Sequence, residues 1–307
     1  MQAVSTRTAP WFKLGKIAET LSAEEALTQG GLDFTVSARD LAFAPEGAHD
    51  GSTWTEATHR KMIVRDDTGD PFDVVSSDYP VWQYRESFTL VEELEPTFVA
   101  AGTLKSGRQG FMVCTLPGLK ELNLLENSDP HDLYVVVRAS HDRTRKVEIS
   151  MMPLRGKCMN QLTLASFSKD APQRWTIGHT PNMAQKLADV KRSLDKTAAY
   201  ARELAGIAQR LEDIRVTHEA AVPILEKVLK ATPTRPAKIT SILEAWDVQA
   251  TNGHPETGWG LVNAVSEYYD WQRAGGTPES RFTAVLDGFG QTYKAINRTA
   301  ALLLSRR

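Results

Sequence analysis

Residues 133–165 read LYVVVRASHDRTRKVEISMMPLRGKCMNQLTLA, and this stretch decides the fold of the first half of the chain. The runs 134–138 and 146–150 are rich in β-branched residues, and a short polar segment separates them. Two such runs around a polar turn predict an antiparallel β-hairpin. We expect a short helix to follow over residues 157–167.

Further short elements are predicted on the N-terminal side of this hairpin. Residues 22–25, SAEE, form a capping signature, which predicts a short helix that ends at Gly30 and Gly31. The β-prone runs 61–65 and 72–75 flank a turn rich in Asp and Gly. This arrangement predicts a second hairpin.

Between the two hairpins, residues 85–101 carry apolar side chains at helical spacing and predict a helix that stops at Gly102. Residues 111–116, FMVCTL, predict a strand. The glycine-rich segment 105–110, KSGRQG, is expected to form a hairpin turn before it. This segment lacks the Gly-Lys-Ser/Thr ending of a phosphate-binding loop, which argues against an ATP-driven motor or recombinase.

The pattern becomes helical in the second half of the chain. From Met183, apolar or small residues recur at steps of three and four, at Leu187, Val190, Leu194, Thr197, Ala201, Leu204, Ala208 and Leu211. This seam predicts one helix of about 35 residues. It suits packing against the chain's own C-terminal helices or against a second protomer. Pro233 and Pro236 interrupt the helical region, and two more helices are predicted over residues 260–271 and 278–304.

These patterns predict an α+β protein with two parts. Residues 1–180 are expected to form an α+β core of antiparallel hairpins with a helix, and residues 181–307 a helical region with one long helix. A chain of 307 residues, 41% of them hydrophobic, suffices for one large or two modest cores. The formal net charge is −2, so nucleic-acid binding requires a local basic patch.

Cysteine content and hydropathy limit the compartment and the cofactors. The chain has two cysteines, Cys114 and Cys158, too few for a disulfide framework or a cysteine-rich zinc site. The first fifteen residues lack the apolar run of a secretory signal, and no stretch approaches 18 apolar residues. We therefore expect a protein of a reducing compartment, the cytoplasm, with no cofactor and no membrane partner.

The stretch 133–165 resembles the core signature of a family carried by phages and plasmids, domain of unknown function 932. The signature runs from a strand through the Ser-His-Asp turn at residues 140–142 to an Arg-x-x-Cys-x-Asn segment at 155–160. The segments AAGTLKSGR, IGHT and GWGLVNAVSEY, at residues 100–108, 177–180 and 258–268, resemble other parts of the family in the same order. The resemblance implies a role in mobile-element DNA biology or in the contest with the host.

A basic cluster accompanies this signature. Its six cations are Arg138, Arg143, Arg145, Lys146, Arg155 and Lys157. Only Asp142 and Glu148 oppose them. Strand alternation places Arg143 and Arg145 on one face, with His141 beside them, which indicates a phosphate-binding track. The alternative is a solvated hairpin tip, which attracts charges in any case. Relatives more often carry glycine at position 143, so arginine here adds a charge to the turn.

Aromatic rings near the track are candidates for base stacking. Single-stranded nucleic acid stacks on exposed aromatic side chains regardless of sequence, and Trp82 and Phe111 are candidates for this role. Lys105 and Arg108, in the glycine-rich segment, are candidates for contacts with the nucleic-acid backbone. The alternative is that the rings belong to the core, so a stacking platform requires them to be exposed.

Catalysis is a further alternative. His141 and Asp142 could act with Cys158 or His179 as a nucleophile or metal site. Metal nucleases require convergent carboxylates, and zinc deaminases require histidine with paired cysteines. The sequence has no Cys-x-x-Cys and no carboxylate cluster near His141. We therefore predict no catalytic residue and no metal ligand.

Together these features predict an ATP-independent protein that binds and anneals single-stranded DNA. It would work through the basic hairpin track and through self-assembly into a homo-oligomer. The alternative is a protein-interaction factor that acts on a host replication or defence protein through the helical half. A nucleic-acid-acting enzyme is the remaining alternative.

Overall fold

A computed structural model describes most of the chain. The described residues are 11, 14–15, 20, 22–44, 46, 54–118, 121–125, 130–155, 160–161, 164, 174–177, 183–251, 253–273, 275–287 and 290–306. Antiparallel strands dominate the first half and helices the second. The predicted α+β class is therefore confirmed.

The first sheet has three antiparallel strands in the order β1–β2–β3. The strands are Val36–Phe43, Thr55–Arg65 and Pro71–Ser76. Helix α1 (Ala23–Gly30) precedes them. It begins where the Ser22 hydroxyl accepts the Glu25 N–H at 3.4 Å, and it ends at Gly31, whose φ of 65° is left-handed. The predicted short helix and the predicted second hairpin are both confirmed.

The helix predicted over residues 85–101 is wrong in its second half. The chain instead forms α2 (Tyr84–Phe88), a 3₁₀ helix (Thr89–Leu94) and strand β4 (Thr97–Leu104). Glu95 has a left-handed φ of 51°, and it precedes Pro96, a position where helical conformation is disfavoured. The apolar spacing continues across this break because Phe98, which lies on a strand, is buried just as it would be on a helix.

The second sheet has seven strands, with the main order β10–β8–β7–β5–β4. Beyond β4 its strands are β5 (Gln109–Thr115), β6 (Glu121–Asn123), β7 (Pro130–Ser140), β8 (Val147–Arg155), β9 (Asn160–Gln161) and β10 (Arg174–Ile177). The strand predicted over residues 111–116 and the β7–β8 hairpin are confirmed. The helix predicted over residues 157–167 is wrong at β9, and its remainder lies outside the described residues except for Leu164.

The second half contains six α-helices among its described residues. They are α3 (Met183–Glu212), α4 (His218–Val228), α5 (Arg235–Thr251), α6 (Gly258–Glu267), α7 (Pro278–Leu286) and α8 (Gln291–Leu304). The predicted long helix is α3. The helix predicted over residues 278–304 is instead two helices, and the sequence patterns did not predict α4 and α5. None of the helices in the described ranges is long and apolar enough to cross a membrane.

The hydrophobic core runs through both halves of the chain. One cluster joins sheet residues such as Val135 and Ile149 to helical residues such as Leu204 and Trp259. A smaller cluster covers the opposite face of the large sheet, where Phe282 of α7 packs. The described end of the α3 seam, from Thr197 to Leu211, is buried against the chain's own helices and sheet.

Candidate nucleic-acid interface

The β7–β8 turn carries the centre of the predicted basic track. The Asp142 carboxylate accepts the Thr144 N–H at 3.1 Å and also pairs with the Thr144 hydroxyl, which holds the turn together. Arg143 has a φ of 56°, in the left-handed region. This conformation costs a residue other than glycine roughly 1–2 kcal/mol.

Two arginines of the predicted track lie in a buried ion cluster. Arg138, only 1% exposed, bonds the Glu148 carboxylate, which lies opposite it in the β7–β8 register. Its other terminal nitrogen lies 2.9 Å from Asp287, at the end of α7, and Arg145 also contacts Asp287 at 2.9 Å. We call Arg138, Arg145, Glu148 and Asp287 the buried ion cluster. Arg174 also lies 4.0 Å from Glu148, so the arginines of this region share two carboxylates. Arg138 is too buried to reach a phosphate, so its predicted contact is wrong, whereas the contact predicted for Arg145, which is 14% exposed, stays a prediction.

His141 is also a core residue. Its ring stacks on Phe72 at 6.1 Å and lies 4.0 Å from the Tyr84 ring, measured between centroids. Burial lowers the pKa of His141 to about 4. The charge of Asp142 and a hydrogen bond to the Trp82 backbone act in the other direction, but burial is the larger effect. A neutral, buried imidazole offers no charge to a phosphate, so the predicted nucleic-acid contact by His141 is corrected.

The two predicted stacking rings differ in exposure. Phe111 is fully buried against Phe282, with ring centroids 5.0 Å apart, so the prediction that Phe111 stacks on bases is wrong. Strand β5 is buried along its whole length because helices and loops cover both faces of the large sheet. Trp82 is half-buried.

Four predicted cations lie exposed where the hairpin tips meet. Lys105 and Arg108 occupy the β4–β5 turn, and Arg143 and Lys146 occupy the β7–β8 turn. The His141 N–H bonds the Arg108 carbonyl at 2.9 Å, which holds the two turns side by side. We call these four cations and their turns the hairpin edge. The side chain of Arg155 and all of Lys157 lie outside the described residues.

The hairpin edge is partly neutralised. Arg143 pairs with Asp73 at 2.5 Å, and this contact lowers the pKa of the Asp73 carboxyl. Arg108 donates to the Pro71 carbonyl at 3.2 Å. Among the residues that the structure describes, no carboxylate lies within ion-pair distance of the side chains of Lys105, Arg108 or Lys146. These three cations remain available to an anionic partner.

The structure adds aromatic residues that the sequence patterns did not predict. The outer parts of β1 and β2 form a projecting ribbon, and Phe43 and Trp54 lie at its end, 55% and 61% exposed. We call residues 40–43 and 54–60 the β-ribbon. The signal for Trp54 was its polar setting, DGSTWTEAT, which leaves a tryptophan without apolar neighbours in sequence.

Strands β3 and β2 connect the hairpin edge to the β-ribbon, since Arg143 pairs with Asp73 on β3 and β3 pairs with β2. Tyr79 lies between them: burial raises its pKa, and the nearby charge of Arg143 opposes that rise. Two residues before Tyr79, the Ser77 N–H donates to the His59 carbonyl on β2 at 3.2 Å. The cations of the hairpin edge and the exposed rings of the β-ribbon are therefore linked through β3 and β2.

The alternative catalytic set is not assembled in the described part of the chain. His141 is buried and neutral, while Cys158 and His179 lie outside the described residues. Burial raises the pKa of the Cys114 thiol to about 12, so this cysteine is no nucleophile. The described residues contain no group of three His, Cys, Asp or Glu side chains placed to hold a metal ion.

Comparison with known proteins adds a single relationship. No curated protein and no solved structure matches the chain. The sequence profile of the family described as domain of unknown function (DUF932) matches residues 71–302. This match spans the large sheet, the hairpin edge and all of the helices from α2 to α7. The chain is therefore a member of the DUF932 family.

Proposed function

We propose that this protein binds single-stranded DNA and promotes annealing without ATP, as a phage or plasmid protein in the host cytoplasm. The observation that supports the proposal is the presence of exposed cations at the hairpin edge and exposed aromatic rings on the β-ribbon, two surfaces that strands β2 and β3 connect. Proteins that bind single strands without sequence preference combine a cationic track with rings on which bases stack.

The proposed mechanism divides the contacts between the two surfaces. Three cations, Lys105, Arg108 and Lys146, hold phosphates by charge. Arg143 attracts phosphate more weakly, because Asp73 neutralises part of its charge. Trp54 and Phe43 offer exposed ring faces for stacking. Bases held by their phosphates keep their pairing edges open to a complementary strand. Annealing therefore requires no covalent step, and assembly into a homo-oligomer would extend the track.

The test is binding of a fluorescent oligonucleotide at several salt concentrations. The triple variant Lys105→Gln, Arg108→Gln, Lys146→Gln is expected to bind more weakly. Its plot of log affinity against log salt should be shallower by about 2, because each lost phosphate contact removes about 0.7 from the slope for a single strand. Mass photometry of the same samples reports the assembly, and an ATP-free annealing assay reports the activity.

A charge-matched variant controls for the loss of positive charge. This triple variant removes three cations from α3 and α4, away from the hairpin edge, by the substitutions Lys196→Gln, Arg202→Gln and Lys227→Gln. It should keep the wild-type salt slope. Equal slopes for the hairpin-edge variant and the wild type would reject the hairpin edge as the track. Absence of wild-type binding at low salt would reject DNA binding altogether.

A second candidate function is interaction with a host protein. The favouring observation is the pair Phe43 and Trp54, since large exposed aromatic residues are also typical anchors of protein interfaces. The double variant Phe43→Ser, Trp54→Ser separates the two functions. Loss of a stoichiometric protein partner with unchanged oligonucleotide binding would favour the interaction factor, whereas weaker oligonucleotide binding would favour stacking.

A further inference from the structure

A basic cleft lies in the helical half, far along the chain from the hairpin edge. Two adjoining cavities of about 350 and 440 Å³ share Lys238, Tyr269 and Gln291 in their walls. Five cations line the two cavities, namely Lys230, Lys238, Arg273, Lys294 and Arg298. No aspartate or glutamate is among the described residues of either wall. We call these two cavities together the basic cleft.

The cations of the basic cleft are uncompensated. In the described part of the chain, none of the five has a carboxylate within ion-pair distance, whereas Arg138 and Arg145 in the sheet do. Lys294 and Arg298 are four residues apart on α8, where like charges repel and destabilise the helix. A fold that gathers cations at a small concave surface against this repulsion provides a site for an anion.

Helix α8 directs its polar stripe and its positive end towards the cleft. Gln291, Lys294 and Arg298 follow helical spacing and line the cavity, while Ile296 and Leu303 are buried on the core side. The first turn of α8 contains no acidic residue, and its N-cap residue makes no side-chain hydrogen bond to the helix. The partial positive charge of a helix N-terminus therefore adds to the five cations.

The wall opposite α8 is aromatic. A π-helical turn, Tyr268–Gln272, carries Tyr269 into both cavities. The Arg273 guanidinium lies 5.8 Å from the centroid of the Tyr269 ring. Burial raises the pKa of Tyr269, so its hydroxyl stays protonated and is a hydrogen-bond donor to an anion. π-Helical turns occur frequently at functional sites, which agrees with a ligand role for this wall.

We propose that the basic cleft binds a small molecule that carries a chain of two or three phosphate groups. The cavity volumes lie in the range of small-molecule sites, and five cations match the charge of such a chain. Inorganic triphosphate and a nucleoside triphosphate share this chemistry. The site is a binding site, separate from the hairpin edge and independent of the DNA binding proposed above.

The experiment is thermal unfolding of the full chain at low salt with inorganic tripolyphosphate. At a hundredfold excess over Kd the wild type should gain about 4 °C in Tm, as expected for a ligand that binds only the folded state. The variant Lys294→Gln, Arg298→Gln should gain less than about 1 °C. Without ligand, its Tm should not fall below that of the wild type, because the change removes a repulsive pair.

Two controls define the location of the site. Lys227→Gln, an exposed cation of α4 that does not line the cleft, should keep the full gain in Tm. The hairpin-edge triple variant should keep it as well. No gain in the wild type, or a full gain in the Lys294→Gln, Arg298→Gln variant, would overturn the proposal. Neither result would bear on oligonucleotide binding at the hairpin edge.

A nucleoside triphosphate in place of tripolyphosphate identifies the source of the phosphate chain. An equal gain in Tm assigns recognition to the phosphates alone. A larger gain adds a contact between the base and the Tyr268–Tyr269 wall. A gain produced only by a single-stranded oligonucleotide, and by neither small anion, would reject the small-molecule ligand and make the cleft a part of the DNA path.

Discussion

Neighbouring cations have opposite roles in the β7–β8 hairpin. Arg138 lies in the strand, opposite Glu148, and is buried between two carboxylates. Arg145 follows it into the same cluster through Asp287. Lys146, the next residue, is exposed and has no ion pair with the described residues. The number of cations in a sequence segment therefore overestimates the charge that a partner can reach.

His141 makes the stability of the fold depend on pH. Its pKa is about 4 when folded, below the usual value near 6.5. Between these values the unfolded chain binds a proton that the folded chain does not, so folding stability falls as pH falls from 6.5 towards 4. The full effect is about 3 kcal/mol, since one pKa unit corresponds to about 1.4 kcal/mol. Urea unfolding at pH 7, 6, 5 and 4.5 measures it.

The matched variant is His141→Phe, which keeps an aromatic ring beside Phe34, Phe72 and Tyr84. We expect a smaller loss of stability over the same pH interval, because phenylalanine does not titrate. At pH 7 the variant also loses the hydrogen bond to the Trp82 backbone. An identical pH dependence in the two proteins would show that His141 is not the group responsible.

At the scale of elements, strong local sequence signals predicted helices and strands reliably. The Ser22 cap, the Asp- and Gly-rich turn and the β-branched runs each predicted the element that is observed. The prediction failed over residues 85–101 because apolar spacing alone did not separate a helix from a following strand. The Glu95–Pro96 pair was the signal that could have placed the boundary.

Two glycines in helices should respond in opposite ways to replacement by alanine. Gly206 is exposed in α3 with open space around it, so Gly206→Ala should stabilise by about 0.4–1 kcal/mol through helix propensity. A side chain at Gly260 would collide with the His254 carbonyl and lie 2.7 Å from Trp246 Nε1. Gly260→Ala should therefore destabilise by about 1–3 kcal/mol.

Chemical unfolding of both alanine variants tests this pair, and each serves as the control for the other. Equal shifts in the free energy of unfolding would contradict the packing of α6. All ten residues of α6 are buried, so this helix is expected to be the least tolerant of added volume.

At the scale of the whole molecule, the buried ion cluster joins the sheet to the helical half. Asp287 lies 149 positions from Arg138 in sequence, yet the two groups are 2.9 Å apart. The substitution Asp287→Asn removes the negative charge that pairs with Arg138 and Arg145. It should lower the free energy of unfolding by about 3 kcal/mol, since a buried arginine loses a charged partner. Because the core is continuous, we expect one cooperative thermal transition that moves to lower temperature.

The control for this prediction is Asp195→Asn, a change of the same charge at an exposed position of α3. It should leave Tm within about 1 °C of the wild type. Two separate transitions in the Asp287→Asn variant would show that the parts before and after residue 180 unfold independently. An unchanged Tm would show that solvent already compensates the two arginines.

The candidate sites differ in how far the sequence could reveal them. The hairpin edge lies close to the predicted track because a turn concentrates neighbouring residues. The basic cleft had no comparable signal, since its cations are spread along the chain from Lys230 to Arg298, on two helices and in two loops. The helical spacing of Lys294 and Arg298, four residues apart, was the one local sequence signal for the basic cleft.

The sequence by itself determined the α+β class, the hairpins, the long helix α3 and the family, because these depend on patterns within a few neighbouring residues. The tertiary structure decided which side chains meet solvent. It buried Arg138, His141 and Phe111, and it left Lys146 and Trp54 exposed. The physical reason is that desolvation and ion pairing depend on groups far away in the chain, such as Asp287 for Arg138 and Phe282 for Phe111.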